Sequence, residues 1–250
     1  MPRHLSIIFT ILFLSACMGR NDQANQEKYY SNNSTKEFNE YWYSGNAELN
    51  SYELEEARYG EIRNGEAVLI FVTEDFLTQK QVKKESKTEA HHTSVLKLNY
   101  IKKFTTGIYD YSLMSSIFSP VKQDQLTFPI KVSTSSQEWC GHSWMQLNET
   151  AQHYHLQAYS YFEKESDVNR LLNKTLTEDG LWNQIRLNPK LIPQGEVQII
   201  PSTQYLRLSH KDSKAYLAEI NIIEENDSLQ KQTLTINYPE LGRRLSITFE

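Results

Sequence analysis

Residues 51 to 62 (SYELEEARYGEI) alternate polar with aromatic or aliphatic side chains, and the same two-residue period returns along most of the chain. Successive side chains point to opposite faces only in an extended strand, so this period commits the chain to sheets with one buried face. Arg63-Asn64-Gly65-Glu66 follows, and its Asn-Gly pair predicts a hairpin turn because both residues accept positive φ. Ala67 to Phe76 (AVLIFVTEDF) is then a continuous β-branched and aromatic run, which predicts the most buried strand. Residues 78–93 read as a polar loop with His91 and His92 in solvent. Further strands are predicted at 95–104, 107–118, 128–137, 139–147, 152–162, 204–209, 215–224, 232–238 and 245–250. One helix interrupts them, at about 166–187. Ser166 and Asp167 can cap it, Val168, Leu171, Leu172, Leu176, Leu181, Trp182 and Ile185 recur near helical spacing, and Gly180 is a point where it can break. Strands in succession with one helix and no βαβ alternation imply a mainly β, antiparallel fold, a curled sheet or partly open barrel with one main α-helix. A doubly wound nucleotide-binding fold is disfavoured.

The first forty residues are of another kind. Arg3 and His4 precede an apolar run, Leu5 to Leu14 (LSIIFTILFL), that falls short of the roughly 20 residues a membrane-spanning helix needs. It reads as a secretory segment. Leu14-Ser15-Ala16-Cys17 resembles the lipobox of bacterial lipoproteins. That resemblance implies cleavage of residues 1–16 as a signal peptide, diacylglycerol on the Cys17 thiol, and acylation of the new amine. Two or more acyl chains anchor stably where one does not. Residues 17–39 are rich in Asn, Gln, Ser, Lys and Glu, too polar to offset the entropy of ordering, and read as a lipidated, flexible tether. Residues 40–250 then form a single β-rich domain. Met18 stands where inner-membrane lipoproteins carry a retention aspartate, so the expected location is the outer membrane, with the membrane itself as partner. The net charge of −5 and the absence of a basic cluster exclude nucleic acid.

Chemistry, if the chain has any, is expected around SSQEWCGH (135–142). With Cys17 lipidated, Cys140 has no thiol partner. As a nucleophile it would need a lowered pKa from His142, whose side chain lies roughly 7 Å along a regular strand unless Gly141 bends the chain. The other reading makes Cys140 a packed side chain at a sheet edge or corner, with Trp139 filling the core. His153 and His155 share a strand face. A hairpin turning at Glu149-Thr150 would set Gln146 opposite His153 and Trp144 opposite His155, with His142 diagonal. Three histidines so placed could hold zinc with an open position, or simply form a solvated polar face. Tyr41, Trp42, Tyr43, Tyr109, Tyr111, Tyr159 and Tyr161 either line a cleft for a lipid or glycan or bury sheet surface. No spacing pairs two carboxylates, and no cofactor motif is present.

Four stretches, 41–76, GIYDYSLMSS (107–116), SSQEWCGH (135–142) and YSYFEKESD (159–167), together resemble an uncharacterised family of envelope lipoproteins from Bacteroidetes-type bacteria. The resemblance implies an envelope location and a shared fold, and no chemistry. Some members carry the label septum formation inhibitor Maf. The Ser- and Arg-rich Maf motif is missing here, where the corresponding region is a signal peptide. The resulting expectation is an outer-membrane-anchored lipoprotein that binds a lipophilic molecule or an envelope protein and is not an enzyme. The alternative is a periplasmic hydrolase using Cys140 and His142 or a histidine-bound metal. The lining of the main cavity separates the two.

Overall fold

The structure is a computed structural model that describes residues 34–86, 91–224 and 231–250. Residues 1–16, Cys17 and the tether up to residue 33 lie outside the described residues. Of the described residues 57% are strand and 14% helical, so sheets are the scaffold and helices the inserts. In chain order the elements are α1 (Lys36–Trp42), β1 (Glu48–Arg58), β2 (Glu61–Leu77), β3 (Val82–Lys83), β4 (His92–Thr106), β5 (Tyr109–Pro120), β6 (Lys131–Glu138), β7 (Gly141–Glu149), β8 (His153–Ser160), β9 (Val168–Asn173), β10 (Leu176–Thr177), α2 (Glu178–Leu187), β11 (Gly195–Ile200), α3 (Thr203–Leu208), β12 (Tyr216–Glu224), β13 (Gln232–Tyr238) and β14 (Arg243–Phe249).

The large sheet is an antiparallel meander, β1-β2-β4-β5-β6-β7-β8-β9, curled into a half-barrel, with β3 paired to β2. Its register sets residues abreast on the concave face. Phe71, Leu98, Ile117, Val132, Leu147 and Leu156 form one apolar row. Two residues along each strand, Tyr100, Ser115, Thr134, Met145 and Ala158 form a mixed row, and beyond it stand Lys102, Leu113, Ser136, Ser143 and Ser160. The core-facing positions of the sheet are therefore apolar in one band and hydroxyl-rich in the next.

The second sheet, β10-β11-β12-β13-β14, is antiparallel except for the short parallel pair β10–β11. It covers the concavity, with α2 and α3 between. Leu181 and Ile185 of α2 and Leu206 of α3 share one core cluster with Phe71, Leu98 and Ile117 of the large sheet and Ala218, Ile220 and Ile236 of the small one. Buried polar groups in this layer must find partners. Asn183 donates to the carbonyl of Leu96 and to Ser119 Oγ, both at 2.9 Å. Thr203, Thr134 and Ser115 form a hydroxyl chain with steps of 2.6 and 2.7 Å. The Thr203 amide and hydroxyl both donate to Asp179 Oδ2, at 2.9 and 2.8 Å. The hydroxyl band of the sheet is thus the docking strip for the two inserted helices.

Several local expectations are corrected. The first hairpin turns at Tyr59-Gly60, both with positive φ (55° and 77°), and not at Asn64-Gly65. Gly65 lies inside β2, where an added Cβ would sit 2.1 Å from the Lys103 carbonyl oxygen; it is there for close strand approach. The main helix occupies only the second half of the expected 166–187 stretch. Residues 168–173 instead add an edge strand to β8, and Thr177 caps the helix by accepting from the Gly180 amide at 3.1 Å. Gly180 does not break it, since the helix runs unbroken over Glu178–Leu187; a Cβ there would meet Pro129 at 2.7 Å, so the glycine permits that contact. Residues 204–209, expected as strand, are mostly α3. The end of the tether is helical: Thr35 caps α1, and Trp42 is buried against Phe71. His92 opens β4 and is only partly exposed.

Candidate functional site

The cysteine and histidines come first, because the register decides them. Glu138 pairs with Gly141, which leaves Trp139 and Cys140 as a two-residue turn at a hairpin tip, both exposed. A two-residue turn projects its side chains beyond the sheet, and so the expectation of a packed Cys140 beside a core Trp139 is overturned. His142 is exposed one residue into β7. Neither Cys140 nor His142 lines the cavities described below. Gly141 is held against the rings of Tyr161 and Phe162, 2.8 and 3.0 Å from where a Cβ would be.

The β7–β8 hairpin turns two residues later than expected. Thr150 receives the His153 amide on its hydroxyl (3.1 Å) and donates its own amide to the His153 carbonyl (2.8 Å), placing Ala151 and Gln152 at the tip. Glu149 therefore faces Tyr154, and His155 faces Asn148 and reaches Asn169 Oδ1 at 2.6 Å. His142 stands beside Tyr161, six residues along from His155, or roughly 20 Å of strand. His153 and His155 share a face, but His142 is not brought to them. Among the described residues no three His, Cys, Asp or Glu are arranged to hold a metal ion.

What the fold does build is a lateral cleft of about 690 Å³ between the open edge of the large sheet and the edge of the small one. Tyr41 and Trp42 of α1, Tyr52, Leu69 and Phe71 of β1–β2, Trp182 and Ile185 of α2, and Ile247 and Phe249 of β14 line it. Trp42 packs edge-on to Tyr41 at 5.0 Å and to Phe71 at 6.4 Å. At the rim Glu48 gathers three donors: Tyr41 Oη at 2.9 Å, Asn50 Nδ2 at 2.8 Å and Arg186 Nε at 2.9 Å. Sharing its proton with Glu48 raises the Tyr41 pKa above the ordinary tyrosine value. Arg186 also lies 5.2 Å over the Phe71 ring, within cation–π reach of the aromatic wall. Aromatic and aliphatic side chains wall the cleft, yet more of the surface it exposes is polar than apolar; its volume falls in the usual small-molecule range of about 300 to 1,000 Å³.

A smaller pocket of about 260 Å³ lies between α3 and β7–β9. Its polar wall centres on Glu165, which accepts from Ser160 Oγ (2.6 Å) and Arg207 (3.1 Å) and shares a proton with His210 Nδ1 (2.6 Å). Arg207 is buried, bonded also to Glu138 and to Ser143 Oγ (2.8 Å), and lies 4.1 Å over the Phe162 ring. In this trio the carboxylate, not the imidazole, stands between hydroxyl and partner. The base on Ser160 is the Glu165 carboxylate, already engaged by Arg207 and His210, and no imidazole reaches the hydroxyl, so the order is not that of a histidine-activated nucleophile. The arrangement ties α3 to the sheet.

Among the aromatics singled out from sequence, Tyr41 and Trp42 line the cleft, Tyr111 is buried, and Tyr159 stacks on Trp144 at 5.8 Å. Tyr109 and Tyr161 stand at one end of the sheet. Trp182, Arg186, Ile247 and Phe249 escaped sequence reasoning as site residues. Trp182 looked like helix core, and the β14 residues reach the cleft only because the small sheet folds back onto the large one. The fold and cleft define a class, a two-sheet antiparallel half-barrel with inserted helices and an aromatic lateral cavity. No family model, no curated protein and no solved structure matches the chain.

Proposed function

We propose that this protein is an outer-membrane-anchored lipoprotein whose β-rich domain binds a lipophilic molecule in the cleft between β1 and β14, and that it is not a hydrolase. The observation that carries the reading is the cleft itself, with Tyr52, Leu69, Phe71, Trp182 and Ile247 as walls and the Glu48–Arg186 pair at its rim. An elongated apolar ligand would lie along the aromatic wall, displacing poorly held water, with a polar end toward the rim. The hydrolase alternative loses support because Cys140 and His142 sit at a hairpin tip away from both cavities. The anchor rests on the Leu14-Ser15-Ala16-Cys17 motif.

The test uses N-phenyl-1-naphthylamine, an apolar dye that brightens on leaving water, with the unlipidated Cys17→Ser protein. Saturable brightening at one dye per chain is expected, lost in Trp182→Ala and Tyr52→Asp and kept in Cys140→Ser. Binding indifferent to both cleft substitutions would sink the proposal.

A further inference from the structure

A strand at the border of a sheet has a neighbour on one side only, so half of its main-chain groups face outward without a ladder partner. The large sheet ends on β1 and β9, and the small sheet on β10 and β14. Of these, β9 has six residues and is strapped by Arg170, which donates to Asp212 at 2.6 Å and to the Ser213 carbonyl at 2.9 Å. β10 has two residues and β14 seven. β1 is longer and open: eleven residues pair with β2 in unbroken register, none of them is buried, and none is proline or lysine. Bulges, prolines and lysines are the usual devices that blunt such an edge, and β1 carries none of them. The turn fixes which of its groups are open. With two residues, Tyr59-Gly60, in the turn, Arg58 and Glu61 form a hydrogen-bonded pair, and such pairs recur at every second residue. Leu49, Ser51, Glu53, Glu55 and Ala57 therefore turn both N–H and C=O away from β2. Their side chains stand on the convex face, opposite to that of Phe71 and the cleft. On the concave face Glu48 and Glu56 are engaged by Arg186 at 2.9 Å and Lys102 at 3.0 Å. On the convex face Glu53 and Glu55 are exposed and, among the described residues, have no ion pair or side-chain hydrogen bond, while Lys103 is taken by Glu66 at 3.6 Å.

We infer that β1 is a docking edge for an extended, basic segment of another protein, which adds to the large sheet as a further strand with Lys or Arg over Glu53 and Glu55. The main chain sets the form of the partner. Five residues offer a donor and an acceptor each, repeating at about 7 Å, and an extended chain matches that repeat with its own N–H and C=O groups. Charge sets which chain. Full overlap with a second copy of β1, open residues against open residues, puts Glu53 opposite Glu53, and a shift of two residues puts it opposite Glu55. Like charges directly opposite destabilise a strand pair, and unlike charges stabilise it, so the two glutamates that turn away another copy favour a basic strand. The ends of the row are apolar. Leu49 is 64% exposed, and Ala57 pairs with Ile62, 61% exposed. An antiparallel partner, like the strands of the rest of the sheet, then reads apolar, basic, basic, small, apolar at every second residue. The side chains that carry this inference lie on the face away from the cleft, so it does not depend on what the cleft holds.

The experiment uses the unlipidated Cys17→Ser protein and a synthetic peptide, Ile-Thr-Lys-Thr-Lys-Thr-Thr-Thr-Val, with acetyl and amide ends. Amide hydrogen exchange is followed residue by residue as the peptide is added. Slower exchange at Leu49, Ser51, Glu53, Glu55 and Ala57 is expected, saturating at one peptide per chain, whereas Asn50, Tyr52, Leu54 and Glu56 are already slow through β2. Glu53→Lys/Glu55→Lys should weaken binding about tenfold or more, because two attractive cross-strand pairs become repulsive. Both residues are exposed, so this variant should keep its unfolding midpoint. Two further peptides test the inference without altering the protein. Methylating the two lysine peptide nitrogens removes donors that face β1 and should abolish binding; equal binding would reduce the effect to charge attraction and overturn the inference. Glutamate in place of both lysines should also abolish binding, and equal binding would overturn the basic partner. Unchanged exchange at the five amides would overturn the docking edge itself. Slowing of the same amides with rising protein concentration, in the absence of peptide, would overturn it in favour of a second copy of the chain. Trp182→Ala should leave peptide binding unchanged, which separates this edge from the cleft.

Discussion

Asp179 lies at the junction of α2 and α3, with one carboxylate oxygen taken by the amide and hydroxyl of Thr203 and the other without a hydrogen-bond partner. Burial pushes its pKa up to about 6, against the pull of the two Thr203 hydrogen bonds, while the unfolded value is near 3.8. Below the unfolded value both states hold the proton. Between the two values only the folded state does, and above about 6 the folded protein must carry a buried charge. Stability is therefore lost as pH rises through that window, the reverse of a salt-bridged aspartate. Lowering the pH from 7 to 4 should favour the wild type over Asp179→Asn by on the order of 2 to 3 kcal/mol. Urea unfolding of both proteins at the two pH values checks this, and an identical pH dependence would assign it to another group. Residue-scale features of this sort were not legible in advance. Asp179 and Thr203 are 24 positions apart, and nothing local marks either as buried.

At the scale of elements, the strands were readable and the turns between them were not. Asn64-Gly65 carries the better turn chemistry, yet the chain turns five residues earlier at Tyr59-Gly60. Turning there lets 61–71 pair with β1 on one side and 65–77 with β4 on the other. Many ladder hydrogen bonds outweigh one favourable turn dipeptide. Gly65→Ala tests the reason for the glycine. With the Lys103 carbonyl in the way, β2 and β4 must part, and a loss of about 1 to 3 kcal/mol in chemical unfolding is expected. A neutral effect would mean that the sheet accommodates a side chain there. The stretch from 166 has the same lesson. Val168, Leu172 and Leu176 fit helical spacing, but an open edge on β8 offers Val168 to Asn173 a partner strand, and the helix starts only where Thr177 can cap it.

For the whole molecule the decisive piece is α2, because both sheets are built onto it. Asn183 fastens it to β4 and β5, and Glu178 fastens it to the small sheet, accepting from Arg243 at 2.5 and 2.7 Å and from Tyr238 Oη at 2.9 Å. Those bonds and the Glu178 charge hold the Arg243 pKa above its ordinary value despite burial. Removing one partner strands the other charge in the interior. Arg243→Met should cost about 3 to 5 kcal/mol, and Glu178→Gln/Arg243→Met should be more stable than Arg243→Met alone. A double-mutant cycle by chemical denaturation reads the coupling; additive costs would mean that the pair does not join the sheets.

Period-two alternation and the lack of βαβ rhythm determined, from sequence alone, that the chain folds as antiparallel sheet with few helices. That pattern is local, repeated every two residues, and set by which face meets water. The polar N-terminal stretch and the LSAC motif are also local, and carry the anchoring proposal without help from the fold. The cleft and the buried Arg207 and Asp179 were decided by tertiary structure. Each depends on register and on how two sheets close over α2, which couple residues far apart in the chain. A slip of two residues at Thr150 was enough to separate His142 from His155, and a two-residue turn moved Cys140 from the expected core to the surface. Alternation says which side chains share a face, but only the closed structure says which of them meet.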